Sequence, residues 1–429
     1  MSYAGRRNPG KMIFTGGRAM KSHHISLLLL ALALLAIFGV HDSEAEQVTL
    51  VIMAPWAAEE LEGFKPVMEA FEAQNPDIKL EYRSGKPEDT STILANQFAI
   101  GKTPVDVVDT PWQWYILEQA KKGHIMDVTD VIDPQDFLPG AIDRVMADGK
   151  IYGASSLGGV TTPEYRKSFF QEHGLKDPKV LKDWDEFIAL LDEIKKVPGV
   201  KGPIGSGGGI GWPFTSVVEN WIITFGGPAM HKGLTEGTIS WQSPEVKAVL
   251  KDKLLPLLQN GYFGEPDEFE AVLQAMWKGN HGVYVGDSTD SMSISPAEDR
   301  GIFLFPGQEG VVFWHDYWFM PKYTKHPEEA KRLFKFLATE GQAIQIKAGG
   351  RVSTYAKVPP EDYPAPEREV FQAIEGKTVL PDMDDSLGGK FQATIWDQLG
   401  LLWANPTEDT LDAILAELDK ATEETLAKK

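Results

Sequence analysis

The sequence predicts an α/β fold with mostly parallel sheets flanked by helices, arranged in more than one domain. β-branched runs alternate with amphipathic helical segments in the order β-α-β-α-β-α, which is typical of a parallel sheet covered by helices. The 429 residues exceed one ordinary domain and suit two or three. A glycine-rich segment from Asp148 to Gly159 separates this region from a second one, and its small residues suit an extended segment that bends.

The first region contains three predicted strands, each followed by a helix. A β-branched run indicates a buried first strand. The next helix carries Leu61, Phe64 and Phe71 on one face, and Asn75-Pro76 ends it. The predicted elements are, in order, strand Val48–Met53, the helix that ends before Asn75, strand Ile78–Tyr82, helix Thr92–Ile100, strand Val105–Val108 and helix Gln113–Lys122.

Two segments that follow strands of this region are rich in tryptophan and polar groups. Pro55–Glu60 comes after the first strand, and Asp109–Trp114 comes after the third. Ligands of parallel sheets sit beyond the carboxyl ends of the strands. Both segments are therefore predicted to border a binding site.

Beyond Gly159 the sequence predicts further helices and strands. Asp183 and Glu186 form a capping box before a helix to Lys196, and Pro327 begins another helix. The glycine loop Gly205–Trp212 lacks the spacing of nucleotide-binding loops and is predicted to present Trp212. The other predicted elements are a short helix at Asn220-Trp221, helices Glu245–Gln259 and Asp267–Lys278 with Asp267 as cap, strands His281–Gly286, Ile302–Gly307 and Val311–Met320, and a closing helix after a cap at Asn405–Glu408.

The N-terminal segment is predicted to be a secretory signal rather than part of the fold. An apolar run from Ile25 to Val40 precedes Ser43-Glu44-Ala45, which offers small residues at the −3 and −1 positions of a cleavage site. Residues 1–19 are interpreted as an upstream extension, with Met20 as the start. The chain has no cysteine, hence neither disulfides nor a lipid-attachment site. We expect a freely diffusing periplasmic protein.

The segment Asp148-Gly149-Lys150-Ile151-Tyr152-Gly153 resembles the hinge of the family 1 extracellular solute-binding proteins of ABC importers, in particular the carbohydrate-binding, maltose-binding-protein-like members. Tyr165-Arg166-Lys167 stands where that family usually has Tyr-Asn-Lys, and Thr162-Pro163-Glu164 is a departure. Phe269–Met276 and Pro327–Ala330 also resemble family segments in the expected order. The resemblance covers essentially the whole chain after residue 45.

The resemblance implies a two-lobe periplasmic binding protein fold, in which two or three hinge crossovers join the lobes and the ligand closes between them. The expected limits are the extension and signal peptide in 1–45, lobe 1 in 46–153 and 314–360, and lobe 2 in 154–313 and 361–429. It also implies a monomer that delivers its ligand to the membrane permease subunits of an ABC importer.

The candidate ligand-binding residues combine indole rings with polar groups. An indole covers the apolar face of a sugar ring, while carboxylates, amides, arginine and histidine bind its hydroxyls. Asp109 follows a strand end, and the resemblance adds Asp287, Arg351 and three others, each of which could instead be a surface charge or a hinge ion pair. The full set is Trp56, Glu60, Asp109, Trp112, Trp212, Trp221, Asp287, Trp314, His315, Asp316 and Arg351. Trp184, Trp241, Trp277 and Trp396, in helices, are predicted to pack in the core.

The sequence gives little support to an enzyme, a metalloprotein or a nucleic-acid-binding protein. It has no G-x-S-x-G or H-E-x-x-H motif, and its nine histidines are scattered without zinc-ligand spacing. The acidic run Asp382–Asp385 could bind calcium but lacks EF-hand spacing, so we expect a solvated loop there, and no metal or cofactor. The net charge of −20 argues against nucleic acid or an anionic membrane as partner.

The function predicted is the capture of a small carbohydrate in the periplasm for an ABC importer, without catalysis. One alternative is a binding protein for a polyamine or another non-sugar solute, because carboxylates and aromatic rings also hold amines. Another is a secreted carbohydrate-active enzyme that uses two carboxylates of the cleft. Which sugar is bound, with which anomer and chain length, is not encoded in any motif.

We expect export to be followed by cleavage after Ala45, because the apolar run and the small residues before Glu46 match what signal peptidase recognises. N-terminal sequencing of the exported protein is expected to begin at Glu46. A mature protein that retains residues 25–40 would contradict the signal-peptide prediction.

Overall fold

The computed structural model describes residues 47–207, 211–287, 294–349 and 351–427, with the side chains of Glu59 and Asp287 outside the described part. The predicted signal segment and parts of two predicted loops lie outside these residues. The strands are β1 Val48–Ala54, β2 Ile78–Ser84, β3 Val107–Thr110, β4 Met146–Ala147, β5 Lys150–Ile151, β6 Ala154–Arg166, β7 Ile204–Gly205, β8 Val283–Asp287, β9 Arg300–Ile302, β10 Gly310–Phe319, β11 Val352–Ser353 and β12 Thr378–Leu380.

The helices cover the sheet and connect its strands. They are α1 Ala58–Gln74, α2 Pro87–Phe98, α3 Gln113–Lys121, α4 Lys167–Glu172, α5 Trp184–Ile194, α6 Pro213–Thr235, α7 Pro244–Val249, α8 Leu255–Gln259, α9 Phe269–Trp277, α10 Pro327–Ala338, α11 Glu340–Gln345, α12 Ala365–Ile374, α13 Met383–Leu387, α14 Gly389–Ala404 and α15 Glu408–Leu426. A π-helical turn at Leu250–Leu254 joins α7 to α8. No helix of the described ranges is long and apolar enough to cross a membrane.

The sheet is mixed, and along its main path the parallel pairs lie toward the two ends. Among the described residues, the main path runs β2-β1-β3-β10-β6-β8-β7. Strand β1 is parallel to both β2 and β3, and β7 is parallel to β8. In the middle, β10 is antiparallel to β3 and to β6, and β6 is antiparallel to β8. Parallel βα units of the predicted kind are therefore joined through antiparallel central strands.

Strands β6 and β10 extend through both parts of the sheet. The first half of β6 pairs with β10 from Ala154 to Val160, and its second half pairs with β8 from Thr161 to Tyr165. Strand β10 begins beside β12 at Gly310 and ends beside β3 at Phe319. The same two strands thus link the α/β elements near the N-terminus to those that follow residue 166.

Two groups of buried apolar side chains are linked by strand β6, which contributes Ala154 to one and Tyr165 to the other. One is built from β1, α1, α10 and neighbouring elements, with Phe64, Phe71 and Phe334 fully buried. The other is built from α5, α6, α14 and α15, with Phe187 and Trp221 at its centre. Burying each such side chain contributes about 1.5–3 kcal/mol, so each group forms a substantial core.

Several predicted elements are confirmed. Helix α1 ends at Gln74, and its residues Phe64, Val67 and Phe71 are buried as expected. Asp183 caps α5 by accepting a hydrogen bond from the backbone N–H of Glu186. Thr407 caps the closing helix α15 in the same way, through the N–H of Thr410.

Other predictions are corrected by the structure. Helix α2 begins at Pro87, five residues before Thr92, because proline suits the first turn of a helix. Asp267 does not cap α9, since its carboxylate accepts from the N–H of Glu268 and the helix begins at Phe269. The run after Ile302 leaves the sheet, so residues 303–307 are not a strand.

Two helices were also misjudged from the sequence. Asn220 and Trp221 lie in α6, which is 23 residues long and kinks at Gly227, where φ is +79° just before Pro228. The acidic run at 382–385 begins helix α13 rather than a solvated loop, and Asp384 is buried. In both places, contacts with distant parts of the chain outweigh the local sequence signal.

The ladder between β6 and β10 requires glycine at position 158. A Cβ atom there would lie 2.0 Å from the carbonyl oxygen of Trp314 and 2.7 Å from the Cβ of His315. We expect Gly158→Ala to lower the free energy of unfolding by about 1–3 kcal/mol or more, because backbone atoms would have to move. Denaturant unfolding measures the loss.

Gly400, in α14, is the matched control because a Cβ there meets nothing within 4 Å. Gly400→Ala should stabilise the protein by up to about 1 kcal/mol through helix propensity. Equal effects of the two substitutions would contradict the close approach of the strands at Gly158.

Candidate functional site

Arg351 lies at the centre of a buried charged cluster at the edge of the central ladder. Its guanidinium donates from Nη1 to Asp316 Oδ2 at 3.0 Å and from Nη2 to Glu60 Oε1 at 2.7 Å. Asp316 comes from β10, Glu60 from the first turn of α1, and Arg351 directly precedes β11. Arg351 and Asp316 are both buried, so their ion pair is shielded from water and salt, whereas the Glu60 side chain is 40% exposed.

Two tryptophan rings hold the same guanidinium. Its central carbon lies 5.4 Å from the ring centroid of Trp56 and 5.7 Å from that of Trp314. Both distances allow cation–π attraction. Trp56 also packs edge-on against Phe64 and Trp318 in the first core. The cluster therefore connects the core beneath it to Trp314.

Asp109 extends the cluster at the end of β3. It pairs in register with Trp318 of β10, and neither of its carboxylate oxygens has a hydrogen-bond partner among the described residues. Burial raises its pKa well above the usual range, Asp316 adds to the rise, and Arg351 opposes it. Burial also raises the pKa of Asp316, to about 6, against the pull of Arg351.

A small cavity lies next to this cluster. Its empty volume, which includes open solvent, is about 200 Å³. Its walls come from the β3–α3 connection, the turn that contains Arg144, strand β10 and helix α13. The lining residues are Pro111, Gln113, Arg144, Trp314, His315, Tyr317, Asp382, Asp385 and Ser386.

Aromatic rings on β10 form one wall of the cavity. The Trp314 ring borders it, and the indole N–H is buried without a hydrogen-bond partner in the part of the chain that the structure describes. The Tyr317 hydroxyl donates to Gln113 Oε1 at 3.3 Å. Burial, together with the Arg144 guanidinium, lowers the pKa of His315 to about 3. His315 is therefore neutral at physiological pH and adds a polar but uncharged ring.

Carboxylates also line the cavity. Asp382 and Asp385 lie at the start of α13, where Gln392 donates to Asp385 Oδ1 at 2.8 Å. Burial raises the pKa of Asp385, and the negative charges of Asp382 and Asp316 raise it further. The cavity thus offers hydrogen-bond acceptors beside aromatic surface, and Arg144 is its basic lining residue.

The structure brings together most of the residues predicted for the site. Trp56, Glu60, Asp109, Trp314, Asp316 and Arg351 form the cluster, and His315 lines the cavity. The side chain of Asp287 lies outside the described part of the structure.

The three other predicted tryptophans do not line the cavity. Trp112 is buried and stacks on Trp114, with the ring centroids 5.4 Å apart. Trp212 is half-buried beside Phe269. Trp221 is fully buried in the second core, where its indole N–H donates to the Lys253 carbonyl at 3.2 Å. Core packing accounts for the Trp221 indole, whereas the prediction assigned it to the ligand.

Sequence reasoning missed several residues of the cavity. Gln113 lies within the segment that was identified by its tryptophans, but an amide beside two indoles carries no distinct signal. Asp382 and Asp385 were assigned to a solvated loop. One signal was available in the sequence. An aspartate such as Asp382 can cap a helix by accepting a hydrogen bond from the backbone N–H three residues later, here that of Asp385.

Comparison with known proteins identifies the relatives of this chain. The model of the bacterial extracellular solute-binding protein family matches residues 57–344. An uncharacterized ABC transporter extracellular-binding protein of Pyrococcus horikoshii is 44% identical over 377 residues, which cover 87% of this chain and 88% of that protein.

Solved structures share the fold. A chitin oligosaccharide binding protein superimposes with a TM-score of 0.76 at 20% identity, covering 89% of this chain and 100% of its own. The bacterial solute receptor AcbH, described as having an exclusive substrate preference for b-D-galactopyranose, gives a TM-score of 0.77 at 18% identity, with 89% and 99% covered. At such identities the likeness establishes the fold, that of the two-lobe periplasmic sugar-binding proteins.

Replacing Arg351 with methionine should destabilise the protein by about 3–5 kcal/mol, because buried carboxylates lose their counter-charge. Arg332→Met is the matched control. Arg332 pairs with Asp77 at 2.6 Å, but both side chains are 45% exposed, so its loss should cost no more than about 1 kcal/mol. Denaturant unfolding of both variants measures the difference.

The loss in Arg351→Met should also grow with pH. Asp109 and Asp316 have pKa values raised by folding, so their protonated forms favour the folded state. Stability therefore falls as the pH rises from the unfolded value, about 3.9, through the folded one, and more steeply without Arg351. Unfolding at pH 5 and pH 8 tests this. A loss that is equal for Arg351→Met and Arg332→Met at both pH values would contradict the buried ion-pair assignment.

Proposed function

The chain belongs to the bacterial extracellular solute-binding proteins, the ligand-capturing components of ABC transporters, and from this premise we propose that it binds a small neutral carbohydrate in the periplasm and delivers it to membrane permease subunits. The observation that carries the proposal is the cavity, where the Trp314 ring faces a space bordered by acceptors such as Gln113 and Asp385. The family consists of solute-binding components rather than enzymes.

The cavity chemistry matches what a sugar ring requires. One face of a pyranose is apolar and stacks on an indole, while its hydroxyls donate to and accept from polar groups at the rim. Trp314 supplies the apolar surface. Asp382 and Asp385 supply acceptors, and Arg144 supplies donors.

The relatives favour the same ligand class. The two structural neighbours above are named for a chitin oligosaccharide and for b-D-galactopyranose. Both are carbohydrates without net charge.

Hinge closure is the proposed mechanism. Gln113 and Arg144 border the cavity from the first α/β region, and Asp385 borders it from α13, whose Met383 and Leu387 pack in the second core. A ligand that contacts both sides stabilises the closed arrangement by its differential affinity for it. Strands β6 and β10, shared by the two regions, are the proposed crossovers. The lobe limits 46–153, 154–313, 314–360 and 361–429 are part of this proposal.

A cationic amine is the second candidate ligand, because acidic side chains outnumber positively charged ones around the cavity. Asp382 and Asp385 line the cavity, and Asp316 lies close enough to Asp385 to raise its pKa. Ammonium groups bind well to such carboxylates and to aromatic rings. A polyamine would use the same cavity and the same closing motion.

Calorimetric titration of the purified protein with neutral mono- and oligosaccharides and with polyamines tests the ligand class. We expect Trp314→Ala to weaken sugar binding by about 1.5–3 kcal/mol, roughly ten- to a hundredfold, since the stacking surface is lost. Solution scattering at saturation should show a smaller radius of gyration if the two regions close on the ligand.

Trp277→Ala is the control, because this half-buried indole donates to the Ser295 carbonyl at 3.0 Å and does not line the cavity. It should leave the affinity unchanged. Equal sugar affinities of wild type and Trp314→Ala would place the site elsewhere. Binding of polyamines alone would overturn the carbohydrate proposal and support the second candidate.

A further inference from the structure

Three carboxylates meet where helix α6 packs against helix α13. Glu219 comes from α6, and Asp382 and Asp384 come from the start of α13. One oxygen of each lies within 4.8 Å of the corresponding oxygens of the other two. Glu219 is 1% exposed and Asp384 is 2% exposed, so two of the three have been removed from water. This carboxylate cluster adjoins the cavity through Asp382, which belongs to the cluster and also lines the cavity.

The hydrogen bonds of the cluster leave acceptor capacity unused. Glu219 Oε2 accepts from the Met383 N–H at 3.2 Å and contacts Nε2 of the buried His231. The other oxygen, Glu219 Oε1, is buried and has no hydrogen-bond partner among the described residues. Asp384 accepts from the Trp396 indole N–H, and Asp382 accepts from the Asp385 N–H at 3.0 Å.

Among the described residues, the basic side chain that contacts the cluster is that of the buried His231, which lies against Glu219. Neither lysine nor arginine forms an ion pair with Glu219, Asp382 or Asp384 in the part of the chain that the structure describes. A buried carboxylate without a counter-charge is costly, and three that lie close together also repel one another. A positive charge shared by all three would remove both costs.

The donor set indicates which cation fits. Hard carboxylate oxygens are the ligands that Ca²⁺ and Mg²⁺ prefer, whereas the softer transition metals favour nitrogen and sulfur. Oxygens that coordinate one Ca²⁺ at about 2.3–2.6 Å lie at most about 5 Å apart. The three oxygens lie within 4.8 Å of one another, which is compatible with this span, whereas Mg²⁺ demands near-ideal octahedral geometry and usually keeps several of its waters.

We propose that Glu219, Asp382 and Asp384 bind one Ca²⁺ ion, with Glu219 Oε1 as a ligand. The ion would tie α13 to α6. Because Asp382 and Asp385 at the start of α13 also line the cavity, it would hold the acidic wall of the cavity in place. The metal site itself does not depend on which ligand occupies the cavity.

Calcium titration of the mature protein after EDTA treatment, without any sugar, tests the proposal. We expect calorimetry to show one site with a Kd of about 10⁻⁴–10⁻³ M, as in extracellular calcium modules. Thermal unfolding should shift upward in 10 mM Ca²⁺, because an ion that binds the folded state stabilises it. Mg²⁺ should produce a smaller shift. Absence of calcium heat and of any thermal shift would overturn the proposal.

Conservative variants locate the ion. Glu219→Gln and Asp384→Asn keep the size of each side chain but remove a charged ligand, so each should weaken calcium binding at least tenfold. Asp397→Asn, on the exposed side of α14, is the matched control and should bind as the wild type does. Wild-type calcium affinity in both cluster variants would overturn the assignment.

Terbium luminescence provides a readout that a purely structural effect would not change. Trp396 donates to Asp384, so its indole should transfer excitation energy to Tb³⁺ bound at the cluster. We expect Ca²⁺ to displace Tb³⁺ and quench the emission. Trp396→Phe should reduce the sensitised emission while calcium affinity changes only a few-fold. Unchanged emission in this variant would place the ion away from the cluster and overturn the proposal.

Discussion

The backbone ladder between β6 and β10 is the constraint on which the rest of the structure depends. It joins the two groups of apolar side chains, and it sets the positions of Trp314, His315 and Tyr317 at the cavity. The register shifts between His315 and Tyr317. Such irregularities re-aim neighbouring side chains, and here the intervening residue is Asp316, which reaches Arg351. The ladder therefore connects folding to the site directly.

The ion pairs at the protein surface differ from the Arg351 ion pairs near the site in how far their side chains are exposed. Pairs such as Arg332–Asp77 lie at the surface and are screened by water. Arg351 instead balances the buried Asp316 and the partly exposed Glu60 beside two indole rings. Its positive charge limits the rise in the pKa values of Asp109 and Asp316 that burial causes. Breaking this balance would change both the stability of the fold and the support of Trp314, which borders the cavity.

Much of the fold could be predicted because local periodicity reports burial. The alternation of strands and helices near the N-terminus, the Asp183 cap and the Thr407 cap follow from nearest neighbours in the chain. Within the cluster around Arg351, the indoles and Asp109 were found through residue type and position near strand ends. Glu60, Asp316 and Arg351 came from the family resemblance. Trp221 was misplaced because an indole on a helix gives the same signal whether the ring meets a ligand or the Lys253 carbonyl. Asp384 was misplaced because acidic runs are usually solvated, and its burial depends on α6, more than 140 residues earlier.

Helix α13 connects the cavity and the carboxylate cluster, and this connection has a thermodynamic consequence. The helix has five residues, too few to be stable in isolation, so its position depends on its contacts. Gly388, at its end, packs so closely on Trp114 that a Cβ there would lie 2.0 Å from the ring. One side of α13 therefore meets α3, and the other meets Glu219 on α6. An ion that fixes the helix would order Asp382 and Asp385 before the ligand arrives. By linkage, the ligand would then raise the affinity for the ion by the same factor as the ion raises the affinity for the ligand.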